Sequence, residues 1–237
     1  MKKIFLALVM ISNCYGTTLV LIGGGKRPQS ALSHFVSKVK SGPIYVLPWG
    51  TRYPQESFDT IKSELKDVGA GEVKCFCSDA FTQQDRLKLE RAGGIYFPGG
   101  NQNKVMAKII DLNLKNKLIE LFQKNIPFAG TSAGTAIQSE LMLTGRGSET
   151  TVGLGLLKRF IVDQHFIVRN REDRLLGAIK NHDAYNGLGV DEDMSAVVTG
   201  GEIITALGPT QVLLYIKNKK MIQKIELSDK ESFKLSF

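Results

Sequence analysis

The chain has 237 residues, 43% apolar and 23% charged, a balance that excludes both a disordered chain and a membrane-embedded one. That length suits one α/β domain with a full-sized core. The formal net charge is +8, yet lysine and arginine are spread along the chain and no basic run is interleaved with aromatics, so no nucleic-acid partner is expected.

At the start, Lys2 and Lys3 precede the apolar run Ile4 to Ile11, and Cys14-Tyr15-Gly16 puts small residues at the −3 and −1 places of a cleavage site. This layout predicts a secretory signal peptide over 1–16, a single domain over 17–237, and export to the periplasm or beyond. The run is too short to span a bilayer, so stable membrane insertion is not expected. A lipoprotein acylated at Cys14 is the rival, disfavoured by Asn13 before the cysteine; an uncleaved leader would leave the protein cytoplasmic.

Thr17 to Ile22 reads as a buried strand ending at Gly23-Gly24-Gly25, followed by an amphipathic stretch to Val39. The third glycine of a dinucleotide fingerprint would fall on Pro28, so nucleotide binding is not supported and no cofactor is expected. Ile44 to Trp49, Val73 to Cys77 and Ile95 to Phe97 read as further strands. Helices are expected over Ser57 to Val68, Thr82 to Arg91, and Gln102 to about Lys124 with a break near Asp111–Asn113. Cys75 and Cys77, spaced by two on one face of a strand, read as buried thiols: a bridge there would be strained, and no histidine is near enough for a metal site.

Strands alternating with helices predict right-handed βαβ units and a mainly parallel sheet covered on both faces, with functional groups beyond the carboxyl ends of the strands. Three glycine-rich strand ends, Gly23–Gly25, Gly99–Gly100 and Gly130–Gly134, would share one rim. Past Thr150, Phe160 to Val168 is strand-like, Arg171 to Asn181 is helical, and short strands after Leu188 read as antiparallel edges of the same domain.

Gly130-Thr-Ser132-Ala-Gly134 fits the strand-to-helix elbow that lifts a serine hydroxyl clear of a sheet. A nucleophilic serine needs a base, and that base needs an orienting carboxylate. Of three histidines, His34 and His182 lie in helical contexts, whereas His165 ends the strand carrying Asp163 and Gln164. Period-2 alternation would put Asp163 and His165 on one face and Gln164 on the other.

Four blocks make the pattern specific: Phe97-Pro-Gly-Gly-Asn-Gln102; the elbow; Val162-Asp-Gln-His-Phe166 with Arg169, Arg171 and Arg174; and Gly189-Val-Asp191-Glu192-Asp193. In their order and spacing the chain resembles the cyanophycinase branch of the family that also contains dipeptidase E. The resemblance implies a class I glutamine amidotransferase-like (flavodoxin-like) three-layer α/β sandwich. It further implies a metal-independent serine exopeptidase with Ser132 as nucleophile, His165 as base and Glu192 as its carboxylate, Asp191 and Asp193 being local competitors. Gly100 and Ala133 would supply the oxyanion hole. Gln102, Asp163, Gln164, Arg169, Arg171 and Arg174 would bind a substrate rich in aspartate and arginine. Implied activity is release of β-aspartyl-arginine dipeptides from cyanophycin, with an aspartyl or isoaspartyl dipeptidase, or a non-catalytic binding protein of the same fold, as alternatives. A homodimer is common in the resembled family.

Overall fold

The computed structural model describes residues 16–145, 147–219 and 221–235. All of the expected signal peptide except Gly16 lies outside the described residues. In chain order the first half runs β1 (Thr18–Ile22), α1 (Gln29–Lys38), β2 (Ile44–Val46), α2 (Pro54–Asp67), β3 (Val73–Cys75), α3 (Gln83–Leu89), β4 (Gly94–Phe97), α4 (Gln102–Asp111), α5 (Lys115–Gln123), β5 (Phe128–Thr131) and α6 (Ala133–Ala136). The second half runs β6 (Ser139–Leu143), β7 (Thr150–Val152), β8 (Leu157–Gln164), α7 (Glu172–Asn181), β9 (Asn186–Val190), β10 (Ser195–Thr199), β11 (Ile203–Leu207), β12 (Val212–Asn218), β13 (Met221–Leu227) and β14 (Ser232–Lys234).

Local chemistry explains several boundaries. Pro54 opens α2, where its missing N–H is no loss. Thr82 and Asp85 form a reciprocal capping box on α3, and the Asn101 side chain accepts from Asn103 and Lys104 at the start of α4. The expected helix break falls at Asn113, whose φ of 51° suits asparagine better than most side chains.

Eight strands form one sheet in the order β14-β11-β10-β1-β5-β4-β2-β3. From β1 through β5, β4 and β2 to β3 the pairing is parallel, and β10, β11 and β14 add antiparallel strands beyond β1. One face is covered by α1 and α2 through Phe35, Phe58, Ile61 and Leu65. Against the other pack α4, α5 and a second sheet, through residues such as Ile109, Leu118, Phe160 and Val212. This is the mixed α/β sandwich expected from the sequence.

The second sheet is the main departure. Its order is β13-β12-β9-β8-β6-β7, and α7 covers its outer face through Leu175, Ala178 and Ile179. The late strands therefore divide between two sheets, and β6 and β7 were not foreseen. The β8 strand also stops at Gln164, because His165 takes φ 50°. Alternation thus cannot place His165 on the face of Asp163.

Cys75 and Cys77 correct a second expectation: they form a disulfide. The strand ends at Cys75, so pleat geometry does not govern Cys77, and the Cα atoms lie 5.2 Å apart, within the usual span of a bridge. Beside it, Trp49 Nε1 donates to the Phe76 carbonyl at 2.9 Å.

Phe128 is fully buried between the rings of Phe97 and Phe122 on the strand that leads to Ser132. Phe128→Ala should lower unfolding free energy by about 3–5 kcal/mol, read from urea denaturation.

Candidate active site

Ser132 sits between β5 and α6 with φ 53° and ψ −109°, a conformation that costs a non-glycine residue about 1–3 kcal/mol and persists only where surroundings impose it. Here they do. Ser132 N–H donates to the Ile22 carbonyl at 2.9 Å, which fastens the turn to the end of β1. A Cβ at Gly134 would lie 1.8 Å from the Phe97 carbonyl oxygen, and one at Gly130 would lie 2.3 Å from that of Gly134. Both flanking glycines are therefore required by close backbone approach.

Thr135 is a residue whose part the sequence did not reveal. Its hydroxyl lies 2.7 Å from the carbonyls of Ile22 and Gly130, bridging α6 to β1 and to the strand before the elbow. It is a clamp on the turn. Over Ser132 lies the 98–101 loop: Gly99 would bring a Cβ within 3.6 Å of the Ser132 Cβ. Gly100, at φ 135°, has no room for a side chain against Gly50, and Asn101 N–H donates to the Gly50 carbonyl. Among the described residues, the N–H groups of Gly100 and Ala133 have no acceptor.

A continuous hydrogen-bonded chain leaves the serine. Ser132 Oγ is 2.7 Å from His165 Nε2, and His165 Nδ1 is 2.5 Å from Glu192 Oε1. A carboxylate only accepts, so Nδ1 carries the proton, Nε2 presents its lone pair, and the serine hydroxyl donates to it. Burial lowers the His165 pKa below its ordinary value, and the positive charges of Arg169 and Arg171 lower it further; the Glu192 contact opposes them. Burial and the two arginines therefore favour the neutral imidazole. Of the three neighbouring acids only Glu192 reaches the ring. Asp193 instead accepts from the Lys26 backbone N–H, and Asp191 from the turn after His165.

The Gly23–Gly25 loop is the floor of this chain. A Cβ at Gly24 would lie 2.1 Å from the imidazole Cε1, and His165 N–H donates to the Gly23 carbonyl. Asp193 N–H donates to Gly24, and a Cβ at Gly25 would meet the Asp193 carboxylate. The glycines make room for a histidine and an acidic turn.

Residues 19–206 match the model of peptidase family S51. The chain belongs to that family. It is 30% identical over 185 residues to a cyanophycinase of Geminocystis herdmanii, covering 72% of this chain and 68% of the relative. With a cyanophycinase of Trichormus variabilis it shares 29% over 227 residues, or 83% and 75% of the two chains. The fold matches that of a peptidase from an acI-B1 actinobacterium with a TM-score of 0.71 at 20% identity, over 94% of this chain and 98% of the other. This S51 protein is a serine peptidase of the cyanophycinase and dipeptidase E type.

In this family member the expected substrate-binding residues fall into two groups. Asp163 has 0% side-chain exposure and is engaged internally: Arg174 donates to both its oxygens and Arg171 to one, at 2.5–3.2 Å. Arg174 also donates to the Gly145 carbonyl, and Arg171 to that of Gln164. The Asp163 carboxylate thus faces the protein's own arginines, and Arg174 is buried against it. The Gln164 side chain is buried, its Oε1 without a hydrogen-bond partner among the described residues, and Gln102 donates to the Leu143 carbonyl at 3.0 Å. Of Arg169, Arg171 and Arg174 only Arg169 is half exposed, with Nη2 3.9 Å from Glu192 Oε1. His182 lies elsewhere, bonded to Thr150.

Two outcomes follow. Arg169→Gln removes a cation facing the imidazole, so the His165 pKa should rise and the acid limb of kcat/KM should move to higher pH; an unmoved limb in a rate–pH profile would contradict this. Asp163→Ala leaves two guanidinium groups without their carboxylate and should destabilise the fold by about 3–5 kcal/mol in urea denaturation.

Proposed function

We propose that Ser132, His165 and Glu192 act as a catalytic triad for hydrolysis of β-aspartyl peptides, with cyanophycin as the substrate. The observation that carries the reading is the unbroken chain from Ser132 Oγ through the imidazole to Glu192. In the first step Ser132 Oγ attacks the scissile carbonyl carbon while its proton passes to His165 Nε2. The resulting imidazolium is stabilised by Glu192. Gly100 and Ala133 N–H groups receive the oxyanion, an interaction worth about 3–4 kcal/mol in comparable sites. Collapse expels the amine with the proton from Nε2, leaving an ester on Ser132. Water, deprotonated by His165, then attacks the ester and restores the hydroxyl.

Substrate assignment rests on the relatives' shared name, cyanophycinase, and on Arg169. Its exposed guanidinium beside the triad is available to a substrate carboxylate in bidentate fashion. A second reading, a dipeptidase for aspartyl or isoaspartyl dipeptides, is favoured by the mutual pairing of Asp163, Arg171 and Arg174, which leaves fewer free charges for a repeating polymer. The Lys2-Lys3 leader motivates export of the enzyme, and the Cys75–Cys77 bridge is in keeping with an oxidising compartment.

The mature protein should release β-aspartyl-arginine from cyanophycin, and Ser132→Ala should reduce that rate by about 10⁴-fold or more while leaving the fold intact. Cleavage of simple dipeptides with none from the polymer would establish the second reading. A wild-type protein that neither turns over peptides nor takes a fluorophosphonate label at Ser132 would overturn both.

A further inference from the structure

We infer that Asp191 is a positioning residue which holds the His165-bearing turn against the Glu192-bearing strand end; the inference rests on the triad reading above. The ladder between β8 and β9 runs in parallel register only as far as Gln164 and Val190. His165 and Glu192 both lie beyond it, so sheet pairing does not set their separation. One step past the ladder, Phe166 N–H reaches the Val190 carbonyl at 3.3 Å, a long bond.

The turn has internal bonds, from Arg169 N–H to the His165 carbonyl and from Arg171 N–H to that of Phe166, but these fix its shape, not its distance from β9. Nor does packing anchor the next two side chains: Ile167 and Val168 are 43% and 57% exposed. His165 N–H is held by the Gly23 carbonyl and the buried Phe166 ring packs on Gly189, but Ile167 and Val168 are tied to the β9 end through one oxygen. Asp191 Oδ1 accepts the successive N–H groups of Ile167 and Val168 at 2.9 and 3.0 Å. A carboxylate receiving two backbone donors is a strong, directional hold.

Its place in the chain gives that hold its consequence. Asp191 is buried and is covalently next to Glu192, and its backbone lies tight against Gly23 just past β1, where a Cβ would come within 2.0 Å of the Asp191 carbonyl oxygen. The side chain therefore transmits a fixed backbone position to the turn, and the imidazole is kept within bonding distance of Glu192 Oε1. Asp191 touches neither Ser132 nor the ring in this arrangement; it acts through His165.

The test compares Asp191→Ala and Asp191→Asn by the rate at which a fluorophosphonate labels Ser132, well below the melting temperature of each variant. Asparagine keeps an oxygen that can accept both N–H groups; alanine keeps none. Labelling of the alanine variant should slow by about 10–100-fold, as expected for misplaced catalytic groups, with asparagine within about threefold of wild type. Thermal melting separates this from a loss of fold, which would slow labelling in proportion to the unfolded fraction only. If the alanine variant labels at the wild-type rate, or asparagine fails to restore labelling, Asp191 is not a positioning residue. Absence of labelling in the wild type, or its persistence in Ser132→Ala, overturns the triad reading itself and this inference with it.

Discussion

The reactive geometry depends on one close approach, the passage of the Gly23–Gly25 backbone beneath the His165 ring. At 2.1 Å from a Gly24 Cβ to the imidazole, no other residue could occupy that position without displacing the ring. The same loop gives its Gly23 carbonyl to His165 N–H, its Gly24 carbonyl to Asp193 N–H, and its Gly23 N–H to the Met194 carbonyl. Just before it, Ile22 offers its carbonyl to Ser132 N–H and to the Thr135 hydroxyl. One strand end thus fixes Ser132, His165 and the acidic turn together.

That joint is needed because the three residues come from two sheets. Ser132 follows β5 of the eight-stranded sheet, whereas His165 and Glu192 follow β8 and β9 of the six-stranded one. Ser132 and His165 both leave their strands at positive φ, so each side chain is aimed by a local turn that costs energy and is held by tertiary bonds. Sheet pairing brings the strand ends close; hydrogen bonds beyond the ladders complete the placement.

Electrostatics around the site divide along the same seam. Asp163 is a buried hub for Arg171 and Arg174, joining the end of β8 to the start of α7, and an internal pair of this kind is costly to break without being a large net stabiliser. Arg169 is left facing solvent and the imidazole, where it depresses the histidine pKa and remains open to an anionic partner.

Composition, turn chemistry and motif spacing determined much by themselves. The α/β alternation, the helix break at Asn113 and the elbow around Ser132 were legible, because each rests on local glycine geometry or on a block of neighbouring residues, whereas Glu192 was singled out from Asp191 and Asp193 only by the family resemblance. Tertiary structure alone decided the rest. Whether a late strand joins the first sheet or the second depends on partners far away in sequence, which no local pattern encodes. Cys77 was misread because the strand ended two residues earlier, and the arginine partners of Asp163 lie across a turn that alternation cannot describe. Gly23–Gly25, weighed as a nucleotide loop, acquired its meaning only when folding laid an imidazole on it: a glycine records that something comes close, and the fold decides what.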